Sequence, residues 1–132
     1  MEIAKTMESG LKIETFIYDK LRPHQVEGVN FMYECITGQR GKMIEGCILA
    51  DFMGLGKTLQ TLTLIRCAII HKIAQKIVVV SPLTLVKVWE KECAKWMGNK
   101  LSPLVTLGNP EEIEKTIRMF VDYDYRLLFT SY

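Results

Sequence analysis

The sequence predicts an α/β fold, a mainly parallel sheet flanked by helices, and three observations carry that expectation. Short apolar, β-branched runs alternate with longer segments of helical periodicity along most of the 132 residues, the order that builds a parallel sheet covered by helices. The run KIVVVSP, residues 76–82, is apolar at successive positions, as a strand buried on both faces is. A glycine-bearing loop, DFMGLGKT at residues 51–58, stands between an apolar run and a helical segment, the place where open α/β sheets bind ligands.

Residues 11–18, LKIETFIY, begin with alternation and are rich in β-formers, so they read as a short strand or extended lead-in. Residues 1–20 are accordingly taken as an extended lead-in, and 21–132 as the domain. Pro23 suits the first turn of a helix, and Val26, Val29, Tyr33 and Ile36 recur at helical spacing before Gly38 and Gly41 close the segment. GCILAD, residues 46–51, reads as a buried strand. TLQTLTLIRCAIIHK follows the loop as a helix with Leu59, Leu62, Ile65 and Ile69 on one face, widened by Leu64, Ala68 and Ile70; a helix this apolar is covered on more than one side. Strand, loop, helix and the KIVVVSP strand then form a βαβ unit. TLVKVWEKECAKWMG is a helix turning Leu85, Val88, Trp89 and Trp96 inward and ending at Gly98. PLVTL, 103–107, is a further strand. Asn109, Pro110, Glu111 and Glu112 supply a cap, a first-turn proline and two acids at the positive end of a helix, which runs to about Phe120. YRLLFTSY, 125–132, is the last strand.

Composition sets bounds on function. A hydrophobic content of 48% is enough to fill a core. A net charge of +2 is too mild to argue for nucleic acid by itself. The four cysteines, Cys35, Cys47, Cys67 and Cys93, all lie in apolar runs and are not closely paired. They read as small buried hydrophobes in a reducing compartment rather than as metal ligands. The start MEIAKTMESG lacks the apolar stretch of a signal peptide, the apolar run near 64–70 is too short to span a bilayer, and no membrane partner is expected.

The loop carries the chemistry. Gly54 and Gly56 let the backbone turn successive amides inward around phosphate oxygens. The following helix adds its amino-terminal partial charge. Lys57 can reach the β- and γ-phosphates, and Thr58 places a hydroxyl on Mg²⁺. Asp51 stands where the common pattern has glycine, but that position mainly ends the strand and starts the turn, and aspartate tolerates turn conformations. A ligand-free glycine turn is the alternative reading. Position between an apolar run and a helix favours nucleotide binding.

LRPHQVEG, GCILADFMGLGKTLQ, VVVSPLTLVKVWEKECAKW and FTSY occur in this order. Together they resemble the successive motifs of the SWI/SNF-type DNA-dependent ATPases of helicase superfamily two, and are most similar to the homologous-recombination repair translocases among them. The resemblance spans nearly everything from Leu21 onward and implies the amino-terminal part of a RecA-like P-loop NTPase lobe, with ATP and Mg²⁺ as cofactors. In these ATPases the loop usually opens with aspartate, so Asp51 fits the family. The resemblance assigns Asp51, Phe52, Met53, Gly54, Leu55, Gly56, Lys57 and Thr58 to the ATP loop, with Lys57 and Thr58 in the catalytic part. It also implies that Gln25 reads the adenine edge, for which a donor-and-acceptor amide is suited. His24 beside it reads as a packing or capping residue.

Ser81, Pro82 and Leu83 match a motif that meets the DNA strand, and Thr130 and Ser131 match a second, as hydroxyl donors to phosphate. Lys87, in the first turn of its helix, opposes the helix dipole unless an anion lies nearby. Lys91 and Lys95 read as a solvated face, and Trp89 and Trp96 as packing. Phe52 departs from the family, where an acid is usual.

The implied partners are double-stranded DNA or chromatin and recombinase or other repair proteins, in the nucleus. The implied activity is ATP-driven movement along duplex DNA in recombinational repair or chromatin remodelling. No D-E-x-H box for Mg²⁺ occurs in the 132 residues, and neither does a second lobe with its transition-state arginine. The chain is thus expected to be the first part of a longer protein, incomplete at its carboxyl end, to turn over little ATP alone, and to expose apolar sheet surface. The rival readings are a strand-separating helicase of the same superfamily, a non-catalytic nucleotide-binding module and, more distantly, a small-molecule kinase using the same loop.

Overall fold

The computed structural model describes residues 2–132 with the exception of Phe52 and Leu55. Its elements are β1 (Ile3–Thr6), β2 (Lys12–Glu14), α1 (Thr15–Tyr18), α2 (Pro23–Ile36), α3 (Lys57–Ile70), β3 (Ile77–Ser81), α4 (Leu83–Met97), β4 (Leu104–Val105), α5 (Pro110–Asp122) and β5 (Leu127–Ser131), with a 3-10 turn at Gly98–Lys100. They form two compact units, Met1–Ile73 and Ala74–Tyr132.

In the first unit the expected extended lead-in is more structured. β1 and β2 pair antiparallel, Ile3 opposite Glu14 and Thr6 opposite Lys12, with an irregularity between Ile3 and Lys5. The chain then turns directly into α1, so Leu11, Ile13 and Ile17 are all fully buried. Pro23 opens α2 as expected, since its missing N–H is one the first turn leaves unused. The buried face of α2 is rotated from the expected one. It comprises Gln25, Val29, Met32 and Cys35, while Ile36 is exposed. Packing against α3 selects this stripe, and it carries a polar residue, Gln25, inward.

α3 buries a wide face, including Leu59, Leu62, Ile65, Cys67 and Ala68, while Leu64, Ile69 and Ile70, also expected inside, are half-buried. The hairpin grips it. Arg66 Nη2 lies 3.0 Å from Glu14 Oε1 in an ion pair, and Lys12 O lies 3.1 Å from His71 Nε2 and accepts a 3.5 Å bond from Cys67 Sγ. Burial, reinforced by the nearby Glu14 carboxylate, pushes the Cys67 thiol up to about 12, which makes it an inert neutral side chain.

The strand expected at GCILAD does not form. Residues 46–51 have no strand assignment, and Cys47 and Ile48 are exposed. Cys47 is thereby a correction to the expectation of four buried cysteines, whereas Cys35, Cys67 and Cys93 are buried. The reason is that a parallel strand takes its hydrogen bonds from strands distant in sequence. No strand among the described residues pairs with 46–51, so the βαβ unit expected across the loop is not closed on that side.

The second unit holds the parallel sheet, in the order β3-β5-β4. β3 and β5 pair from Ile77 with Leu127 to Ser81 with Ser131, and α4 and α5 are the connecting helices. β4 is only two residues long, although Thr106 N extends the pairing by donating to Phe129 O at 3.0 Å. The expectation that KIVVVSP is covered on both faces holds for one face only: Val78 and Val80 are 49% and 56% exposed. α4 packs on β5 through Trp89, whose ring centroid is 6.0 Å from that of Phe129. Val86, Cys93 and Met97 are its buried residues, and Leu85 and Val88, expected inside, are exposed. The stripe is set one position away from the most apolar residues because Trp89, the largest, takes the sheet.

α5 begins as predicted. Glu112 N donates to Asn109 Oδ1 at 2.9 Å, and Asn109 N donates back to Glu112 Oε2 at 3.3 Å, a capping box. Its other end is closed by Lys76. That ammonium donates to the carbonyl oxygens of Phe120, Tyr123 (2.6 Å) and Tyr125 (2.7 Å), and lies 4.8 Å from the Phe120 ring centroid. Orphan carbonyls at a helix end are thus satisfied by one cation. Lys76→Met keeps the stem and removes the donors, so it should lower the stability of this unit by about 1–2 kcal/mol. Chemical denaturation measures the loss, and hydrogen exchange should locate it at residues 120–126.

Candidate nucleotide and nucleic-acid sites

The loop of the first unit reaches α3 through Gly56, its N-cap, at φ 78° and ψ 42°. Gly54 is likewise left-handed, at φ 84°. A β-carbon costs about 1–2 kcal/mol in this region, so both positions call for glycine. Gly56 also brings no side chain to cap the first turn of α3, which leaves amide donors at the positive end of the helix for an anion.

Two bonds fasten the loop to the helix that follows. Lys57 Nζ donates to Asp51 O at 2.6 Å, and Gln60 Nε2 donates to Asp51 Oδ2 at 3.0 Å. Met53 is exposed and Thr58, the second residue of α3, is half-buried. Phe52 and Leu55 lie outside the described residues. The loop residues that are described fit a triphosphate with Mg²⁺: glycines at the bends, an uncapped helix end, one ammonium and one hydroxyl.

Gln25 lies against this loop. Its Oε1 accepts from Arg22 N at 2.8 Å while its own N–H donates to Arg22 O. That reciprocal bond turns the Nε2 end toward Gly56, where a β-carbon would come within 2.1 Å of it. α2 therefore places a buried amide on the glycine that precedes Lys57, although 31 residues separate the two in sequence.

The remaining candidates meet in the second unit. In the β3–β5 register Val80 is opposite Thr130 and Ser81 opposite Ser131. Both motifs therefore lie at the carboxyl ends of adjacent parallel strands, where such sheets bind ligands. Ser81 is buried and its hydroxyl donates to Pro82 O at 3.2 Å. Thr130 Oγ1 is 2.7 Å from Oγ1 of the buried Thr106. Leu83 is exposed as the first residue of α4. Lys87 is exposed but is the fifth residue of that helix, so it lies past the first turn and opposes the dipole less than its sequence position suggested. Lys95 sits over the Trp96 ring, 4.7 Å from its centroid, and Trp96 Nε1 donates to Glu92 Oε2 at 2.8 Å. Trp96 is therefore engaged within its own helix.

Sequence reasoning passed over Gln60 and Thr106. The available signal for Gln60 was a polar residue within the apolar face of a helix, in LQTLTLI; for Thr106 there was none, because its role depends on pairing with a strand 24 residues away.

The SNF2-related domain family matches residues 24–132. The chain is 46% identical over 114 residues to a DNA repair and recombination protein RAD54-like of Drosophila grimshawi, covering 82% of this chain and 14% of that protein. It is 41% identical over 116 residues to the RAD54-like protein of Mus musculus, covering 83% and 16%. It thus spans only about one seventh of the length of these relatives. Among solved structures it is similar to the Sulfolobus solfataricus SWI2/SNF2 ATPase core in complex with dsDNA, with a TM-score of 0.64 and 32% identity over 84% of this chain and 21% of that one. The α/β fold with its parallel sheet and the order of motifs agree with these matches. The chain belongs to the SNF2-related domain family, in its SWI/SNF-type branch near the RAD54-like proteins.

Proposed function

We propose that this chain is the ATP-binding part of a double-stranded-DNA-dependent ATPase that acts in recombinational DNA repair or chromatin remodelling in the nucleus. The observation that supports the reading is the placement of Gln25 against Gly56, which brings a side-chain amide, able to pair with an adenine edge, beside the glycine loop. In this reading Asp51–Thr58 hold the phosphates, Lys57 neutralises their charge and Thr58 holds Mg²⁺, which would stabilise charge on the transferring phosphate. Residues 21–132 are read as the first portion of a motor lobe, and turnover calls in addition for Mg²⁺-binding acids and an arginine. Steady-state turnover by the 132 residues with DNA should stay near background.

Base recognition is the direct test. Gln25→Ala should lower the preference for ATP over GTP by about tenfold or more, since a paired buried amide discriminates strongly between bases. Titrating both nucleotides against both chains measures this, and an unchanged ratio would remove Gln25 from the adenine site.

The second unit supplies the reading for DNA. Ser81, Pro82, Leu83, Lys87, Thr130 and Ser131 would contact one strand through its phosphates, a reading supported by the pairing of Ser81 with Ser131 at the carboxyl ends of β3 and β5. Affinity for duplex DNA should be indifferent to base sequence and fall linearly on a log–log plot against salt, with a slope of about −0.9 per phosphate neutralised. A flat dependence would refute the assignment. Strand displacement by the whole protein separates a translocase, the reading favoured here, from a helicase.

A further inference from the structure

Gln60 is an unusual residue for its place. It is fully buried within the apolar face of α3. Its Nε2 is committed to Asp51 Oδ2, and its Oε1 has no hydrogen-bond partner among the described residues. A buried amide oxygen without a partner carries the full desolvation cost of the group, and a leucine would pack there without it. What the residue contributes is then at its other end, the bond from Nε2 to Asp51. Gly28 of α2 approaches so closely that a β-carbon there would come within 1.9 Å of Gln60 Oε1.

From these contacts we infer that Gln60 is a positioning residue for the nucleotide loop: it braces the Asp51 carboxylate at the loop's first residue against Gly28 of the helix that carries Gln25. The inference rests on the nucleotide reading of the loop and adds to it how the loop is held. Gln25 and Gly28 are one helical turn apart, so they lie on the same face of α2. One touches the end of the loop at Gly56; the other, through Gln60, reaches its beginning at Asp51. Lys57 is tied to the same residue through Asp51 O. A shift of Asp51 would therefore move the carbonyl that sets the ammonium, and α2 would govern both base and phosphate subsites.

The test uses MgATP titrated into the intact chain by calorimetry, with thermal unfolding followed on each variant. Gln60→Glu sets a carboxylate against Asp51 and should weaken ATP binding about tenfold or more, as expected when a hydrogen bond to a charged group is lost. Gln60→Leu fills the same apolar surroundings without a donor to Asp51, so it should hold the unfolding midpoint and still weaken ATP binding. Gly28→Ala improves helix propensity yet displaces the Gln60 amide, so it should weaken ATP binding although Gln60 is intact. Lys57→Ala is the control for the loop itself.

If Gln60→Glu or Gly28→Ala binds ATP like the parent while Lys57→Ala does not, the positioning role falls and the nucleotide loop stands. If Gln60→Leu keeps the parent's affinity, the bond to Asp51 does not position the loop and the inference fails. If Lys57→Ala also binds like the parent, the nucleotide reading falls and takes this inference with it.

Discussion

Lys57→Ala should weaken ATP binding by roughly one to two orders of magnitude, the range for losing a charged hydrogen bond of about 1.5–3 kcal/mol. In this structure the ammonium is not idle. It donates to Asp51 O at 2.6 Å, within its own loop. A phosphate must therefore draw Lys57 away from a carbonyl, and the measured loss is the difference between the two partners rather than the whole of the phosphate bond. Two consequences distinguish this from general damage to the fold. The loss should be larger for ATP than for AMP, because the lysine is read as meeting the β- and γ-phosphates. The unfolding midpoint should move little, because Lys57 lies at the first position of α3 and is only half-buried. Calorimetric titration of the two nucleotides, with a thermal scan of each chain, gives both numbers. Equal affinity in parent and variant would end the assignment of the loop to phosphate.

Glu14→Ala should destabilise the first unit by about 3 kcal/mol, the lower end of the range for breaking a buried ion pair. Glu14 is 7% exposed, and its carboxylate receives both Nε and Nη2 of Arg66, at 3.1 and 3.3 Å to its two oxygens. Removing it leaves the largely buried Arg66 guanidinium of α3 without its carboxylate. The penalty should shrink in Glu14→Ala/Arg66→Met, where neither charge is left buried, since replacing a buried pair by apolar groups is far less costly than breaking it. Denaturant unfolding of the single and double variants tests this. A loss below about 1 kcal/mol for Glu14→Ala would place the pair among exposed ion pairs, which contribute little.

The same contact shows what a lead-in can do. Residues 1–20 carry alternation and β-formers, and that pattern is visible locally. That their hairpin clamps α3 through Glu14, Lys12 and Arg66 is not visible, because the partner lies 52 residues further along. Side-chain pairing at such separation leaves no periodic trace. The helices were the most legible elements, since their signals are local: Pro23 at a first turn, Asn109 with Glu112 as a capping box, Gly98 at a carboxyl end. Their buried faces were less so. In α2 and α4 the apolar periodicity pointed to a stripe beside the one that is buried, and contact with α3 and with Phe129 made the difference.

Strands showed the opposite weakness. KIVVVSP and YRLLFTSY formed as β3 and β5 because each finds the other in parallel register. GCILAD is as apolar as either, yet forms no strand among the described residues, because apolarity is a property of the segment whereas hydrogen bonding requires a neighbour.

By itself the sequence determined the chemistry available: a glycine loop ending in Gly56, Lys57 and Thr58, an amide at Gln25, hydroxyls at Ser81, Thr130 and Ser131, and the order of motifs that marks the family. These are matters of residue type and spacing, and both are written in one dimension. Only the tertiary structure decided that Gln25 rests on Gly56, that Gln60 fastens Asp51, and that the two hydroxyl motifs end on neighbouring strands. The physical reason is range. Caps, turns and helix faces are settled within a few residues, whereas a site is assembled by packing and strand register between segments that the sequence keeps far apart.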